Sequence, residues 1–238
     1  MSKTLIRSSV AAVAMAASMA ASATIVTVFD SIPAGTASYN ATVAAAGGTV
    51  TALAIPAQSG NSIVASDFTI TRNNGGFIST TTYGTMSGPV VDISPSGSGP
   101  GIGAIGSGIK FTFNTAVNSI GFEVGDWGTC CQPSALFISF DGGAPIQVGK
   151  SVASGDVFFN GVAEVFVAAF DDTGNFSTVQ FWGDGFGEYL VAGGRISYAL
   201  LQQGSLPPSG NVPEPAGLAL AGLALAGVVA ARRRKQQA

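Results

Sequence analysis

The 238-residue chain is 47% hydrophobic and only 10% charged, has no histidine, and carries two cysteines, Cys130 and Cys131, that are neighbours. The missing histidine excludes Ser-His-Asp and Cys-His nucleophiles, and two adjacent cysteines cannot supply the usual tetrahedral zinc set. The net charge of −3 hides an asymmetry: residues 24–211 hold four bases and twelve acids, 4 − 12 = −8, which disfavours nucleic acid as a partner and suits solubility outside the cell or cation binding.

Residues 1–23 read as a secretory signal peptide. Lys3 and Arg7 form a positive start, residues 10–20 an Ala-rich apolar run, and Ala21-Ser22-Ala23 a small-residue cleavage site. No twin arginine is present, so the expected route is the Sec machinery, which exports an unfolded chain. Residues 24–205 then form one domain, long enough for a sizeable core. An oxidising destination permits disulfides. Three states stand for Cys130 and Cys131: a strained vicinal bridge, free buried thiols, or bridges to another chain.

Helix signals are nearly absent from this domain, and strand signals recur throughout. Residues 24–29, 49–55 and 62–71 are β-branched or alternating, each bounded by Gly, Pro or Asn. Asn74-Gly75-Gly76 reads as a hairpin turn between Phe68-Thr69-Ile70 and Phe77-Ile78-Ser79. Residues 94–108 form a Gly/Ser/Pro loop. Its G-x-G-x-x-G spelling at 101–106 lacks the preceding strand and following helix of a dinucleotide site. Beyond it the alternation is clearest. Ile109, Phe111 and Phe113 share a face, as do Ile120, Phe122 and Val124, with Glu123 pointing away towards solvent. Leu136, Ile138 and Phe140 pair with residues 144–148 through Asp141-Gly142-Gly143. Residues 163–170 are apolar on both faces, as in a fully buried central strand. Residues 177–182 and 189–199 complete the set. Period-two patterning at this density predicts an all-β antiparallel sandwich or jelly roll, with a barrel as the alternative.

Chemistry in such a chain rests on carboxylates. Glycoside hydrolysis needs two across a cleft, and Glu123, Asp126, Asp184 and Glu188 are candidates. Calcium needs several oxygen ligands. Asp171, Asp172 and Asn175 offer three, although Asp, Gly and Asn also suit a plain turn after a buried strand. Asp126-Trp127 and Trp182-Gly183-Asp184 each set an indole beside an acid on a Gly-rich loop, the equipment for holding a sugar. The alternative is that both rings cap the ends of the core. The threonines 80–82 are consecutive and alternate faces, so they make no flat ice-binding ladder.

Residues 206–211 are a Pro/Gly/Ser linker. Val212-Pro213-Glu214-Pro215 follows, then sixteen residues (216–231) of Ala, Gly, Leu and Val, then the stop-transfer cluster Arg232, Arg233, Arg234 and Lys235. As a helix the apolar run would be about 24 Å long, short for a membrane core of ~30 Å. Its basic end should stay on the cytoplasmic side. This tail, residues 212–238, resembles the PEP-CTERM sorting signal of Gram-negative bacteria. The resemblance implies an exosortase that cuts near Pro213-Glu214-Pro215, after a transient stay in the inner membrane.

A second, looser likeness joins the Phe-x-Phe strand at 111–113, Ile120-Gly121-Phe122-Glu123-Val124-Gly125-Asp126, and Phe166-Val167-Ala168-Ala169-Phe170. It resembles exported domains often found on PEP-CTERM proteins and implies a jelly-roll sandwich. Such domains often end in a paired-Asp strand, where this chain has Gly193-Gly194-Arg195. The expected function is a non-catalytic surface or extracellular-matrix protein, in contact with exopolysaccharide. A carbohydrate-binding module and a polysaccharide-active enzyme are the alternatives.

Overall fold

The computed structural model describes residues 24–93, 108–127, 134–151, 164–171, 173–183 and 190–206. The signal peptide, the 94–107 loop, Cys130, Cys131, Asp172, Asp184, Glu188 and the whole sorting tail, including its apolar run, lie outside them. Among the described residues no helix is long and apolar enough to cross a membrane.

In chain order the elements are β1 (Ile25–Phe29), α1 (Ile32–Ala45), β2 (Thr51–Ala54), β3 (Ser59–Gly60), β4 (Ile63–Val64), β5 (Phe68–Arg72), β6 (Ile78–Thr81), β7 (Val90–Asp92), β8 (Ile109–Val117), β9 (Ser119–Gly125), β10 (Ser134–Phe140), β11 (Ile146–Ser151), β12 (Val165–Phe170), β13 (Phe176–Gly183) and β14 (Val191–Ala199). They form two antiparallel sheets. One runs β1-β12-β9-β14-β7-β6-β3, with β2 also paired to β14; the other runs β11-β10-β13-β8-β5-β4. Their facing sides bury one core, with Phe122, Val124, Val167 and Ile196 on the first sheet and Phe68, Phe111, Ile138 and Phe181 on the second. The expected β-sandwich is present.

Two local expectations need correction. The first concerns α1, which was not anticipated. Ser31 caps it, its Oγ accepting from the Ala34 N–H, and a proline sits in its first turn. It ends in a Schellman turn: Gly47, at φ 73°, donates to the Ala44 carbonyl and Gly48 donates to that of Val43. The helix lies on the outer face of the larger sheet. There Tyr39, Val43 and Ala46 meet Phe166, Ala168, Phe170, Ala199 and Leu201 in a second apolar cluster. This cluster explains why β12 is apolar on both faces: Val165, Val167 and Ala169 enter the sandwich, while Phe166, Ala168 and Phe170 meet the helix. Leu206, read as the start of the linker, is buried in the same cluster.

The second concerns Asn74-Gly75-Gly76, which turns the chain but does not close a hairpin. Both edges of β5 are occupied, by β4 and β8. The chain therefore crosses to the other sheet, where β6 pairs with β3 and β7. Arg72 fastens the crossing, donating to the Asp92 carbonyl and lying 3.6 Å from the Asp92 carboxylate on the opposite sheet. The Asp141-Gly142 turn does join β10 to β11 as a hairpin, with both residues at positive φ.

Candidate functional site

Strand β9 organises what lies above the larger sheet. Its inward residues Ile120, Phe122 and Val124 fill the sandwich. Its outward residues are Ser119, Gly121, Glu123 and Gly125, and each receives part of the covering layer. The Ser119 Oγ sits 2.8 Å from the Tyr39 hydroxyl and donates to the Ala199 carbonyl. Gly121 leaves room for two rings; a Cβ there would come within 2.6 Å of Phe166 and 3.2 Å of Tyr39. Gly125 does the same for Met86 and Tyr83, each 2.8 Å from the position a Cβ would take.

Glu123 corrects the expectation most sharply. It is 2% exposed, not solvent-facing. Alternation assigns its face correctly, but that face is roofed by α1 and by residues 82–88. Its carboxylate accepts from the Ser87 N–H at 2.8 Å, from the Ser87 hydroxyl, and from the Arg195 N–H at 3.3 Å. The last bond depends on an irregularity in β14, whose pairing with β9 shifts between Gly193 and Ser197. Gly194 stands there at φ 63°, and a Cβ would lie 2.3 Å from the Glu123 carboxylate. A second acid pins the same roof: Glu164 accepts from the Thr85 N–H at 3.0 Å and from its hydroxyl.

Between α1 and the sheet a cleft of about 400 Å³ remains, lined by Thr36, Asn40, Ala52, Glu123, Arg195 and Ser197. Glu123→Ala is expected to lower the unfolding free energy by about 2–4 kcal/mol, because two main-chain N–H groups lose their acceptor. Glu123→Gln, which keeps an acceptor oxygen, should lose less. Urea unfolding of both variants measures this, and an alanine variant as stable as wild type would contradict it.

A second depression, of about 370 Å³, opens at one end of the sandwich where the two sheets part. Its floor is aromatic: the Phe113 and Tyr198 rings are 5.2 Å apart, and Phe68 lies edge-on to both. Its rim carries Thr49, Thr51, Asn114 and Thr115, all exposed. The half-buried Asp67 accepts a hydrogen bond from the Tyr198 hydroxyl. That bond, with a smaller contribution from Ser66, holds the Asp67 carboxyl below the usual carboxylate range. Burial and the Asp67 carboxylate push the Tyr198 phenol up. Asp67 and Tyr198 are 131 residues apart, so no local pattern announces the pair.

Among the described residues the tryptophans present no sugar platform. Trp127 and Trp182 are both 0% exposed. Trp127 belongs to the sandwich core. Trp182 lies on the outward-facing register of β13, paired and stacked with Phe137 at 5.9 Å, and offers no face to a ligand. Asp126, beside Trp127, adopts φ 63° where β9 ends. Of the glycosidase candidates, Glu123 is committed to the roof, while Asp184 and Glu188 lie outside the described residues.

Of the calcium candidates, Asp171 is used to hold a turn. Asp171 Oδ1 accepts from the Thr173 N–H at 2.9 Å, the Thr173 hydroxyl at 2.6 Å and the Gly174 N–H at 3.2 Å. Its other oxygen takes the Thr24 hydroxyl at 3.5 Å. Asn175 is exposed. Among the described residues no cluster of three acids or cysteines could hold a metal ion.

The family profile described as the PEP-CTERM protein-sorting motif matches residues 211–235. Comparison with curated proteins returns no match. Among solved structures, a variant of a family 29 carbohydrate-binding module is 11% identical and covers 69% of this chain and 99% of its own, with a TM-score of 0.36. Another variant of that module, solved with mannohexaose, is 12% identical over 66% of this chain and 94% of its own, at 0.37. Superposition this loose says nothing of what the present chain binds.

Proposed function

From the PEP-CTERM sorting motif that this chain carries at residues 211–235, we propose that it is a non-catalytic surface or extracellular-matrix protein, cut near Pro213-Glu214-Pro215 by an exosortase during export. The motif is the observation that carries this reading. The described domain supports a scaffold role through the use it makes of its acids. Glu123, Glu164, Asp141 and Asp171 each accept main-chain N–H groups and each pins a loop or turn. A carboxylate held this way has its oxygens aimed at the fold, and is poorly placed for the proton exchange that acid–base catalysis requires.

The test is mass spectrometry of the protein from an exosortase-bearing Gram-negative host. An extracellular form ending near residues 213–215 is expected, together with membrane retention of a Pro213→Ala/Glu214→Ala double variant. A chain intact to Ala238 and confined to the inner membrane would overturn the reading in favour of a plain C-terminal anchor.

A further inference from the structure

The depression at the end of the sandwich has features the scaffold does not explain. The hydroxyls of Thr49, Thr51 and Thr115 make no hydrogen bond among the described residues, yet all three stand around one hollow. Asn114 joins them, its side-chain nitrogen donating to the Ser66 carbonyl at 2.8 Å, so its amide is oriented and its oxygen is left over. Asp67 is the one charged residue of the lining, and the hollow contains no base. Below the rim lie Phe113 and Tyr198, 5% and 7% exposed, and beside them stands Leu200, 56% exposed. Tyr198 is fixed, because its hydroxyl is tied to Asp67 and its ring is wedged between Phe68 and Phe113.

We propose that this hollow is a binding site for an uncharged sugar residue of an extracellular polysaccharide. The chemistry matches on each side. A sugar hydroxyl both donates and accepts, as the three threonines do. An ionised carboxylate accepts only, and with no base nearby it would repel a uronate or a phosphate. The exposed Leu200 side chain at the wall of the hollow gives a C–H face an apolar contact, which sets an orientation. A volume of about 370 Å³ lies within the range of small-ligand pockets and admits one or two rings. The site is assembled by the fold alone: Thr49, Thr51 and Tyr198 come with the larger sheet, and Asp67, Phe113, Asn114 and Thr115 with the smaller. It therefore takes over the sugar contact that the sequence suggests for Trp127 and Trp182, at different residues.

The inference depends on the proposed export only for where the ligand is met, and its test needs no exosortase. The full chain, purified in mild detergent, is run by affinity electrophoresis through gels containing β-glucan, mannan or galactan, with polygalacturonate as the anionic control. At least one neutral polysaccharide should retard it, and polygalacturonate should not. The Thr51→Val/Thr115→Val variant should bind about tenfold more weakly, as two hydrogen bonds are lost. Both positions are exposed, so its thermal unfolding should be unchanged. Asp67→Asn should weaken binding as well. No retardation by any neutral polysaccharide would overturn the proposal. So would retardation that survives both variants, since the ligand would then sit elsewhere.

Discussion

Tyr39→Ala is expected to lower the unfolding free energy by about 3–5 kcal/mol, the range for removing a large buried aromatic side chain. Tyr39 is the central contact between α1 and the larger sheet. It is fully buried, stacked on Phe170 at 5.2 Å and edge-on to Phe166 at 6.1 Å. The approach is close because two glycines permit it. Gly121 lies beneath the rings, and a Cβ on Gly35 would come within 2.5 Å of Phe166. Alanine at position 39 would leave a cavity walled by groups that cannot collapse into it, since the helix already touches the sheet. Tyr39→Phe separates the ring from the hydroxyl. It keeps the packing and costs about 1 kcal/mol, for the hydrogen bond to Ser119. Urea unfolding of the pair is the measurement. Equal losses in the two variants would mean that the hydroxyl, and not the ring, holds the helix down.

Alkali should unfold the domain with a steepness set by two tyrosines. Tyr39 is pushed above the ordinary phenol value by burial, partly offset by its Ser119 bond. Tyr198 is pushed up by burial and then by Asp67. In the unfolded chain both phenols lose their protons near pH 10. Above that pH the folded state holds more protons than the unfolded one, so stability falls as pH rises. The contribution is present in full below pH 10 and is lost as the pH rises through the folded values. Tyr39 adds about 1.4 kcal/mol per pH unit to the decline, and Tyr198, whose hydroxyl lies nearer solvent, adds less. Tyr39→Phe should remove more than half of that slope. Unfolding midpoints that stay constant from pH 9 to pH 11 would sink the prediction.

How much of this could be read in advance differs between elements for physical reasons. Strands β8, β9, β10 and β12 are legible because one face of each is a run of large apolar residues, and period-two alternation is a strong signal. The Asp141-Gly142 hairpin is legible because only such residues accept positive φ at both turn positions. Helix α1 is not. Between Ile32 and Ala45 it has Ala, Ser, Thr and Gly where a stronger helix would carry Leu, and it needs only Tyr39, Val43 and small residues to dock. Its boundary marks, Ser31 and Gly47, are present, but they also suit a loop.

Glu123 shows a second limit. Alternation reports which residues share a face, but not whether that face is roofed. Only the spacing Ser119, Gly121, Glu123, Gly125 hints at a roof, since small residues on an outward face leave room for one. The hollow at the sandwich end was out of reach. Its parts come from four separated stretches, and each is unremarkable where it stands.

The position of β14, the last strand among the described residues, bears on when the larger sheet can form. β14 is an interior strand of the larger sheet, lying between β9 and β7 and pairing with β2 as well. The first strand, β1, finds its partner in β12. The larger sheet therefore cannot close until residue 199 is available. Non-local pairing of this kind makes folding slow. For the export proposed above, the delay is useful. The sheet stays open, and the chain pliable, until β14 has arrived to fill its place between β9 and β7.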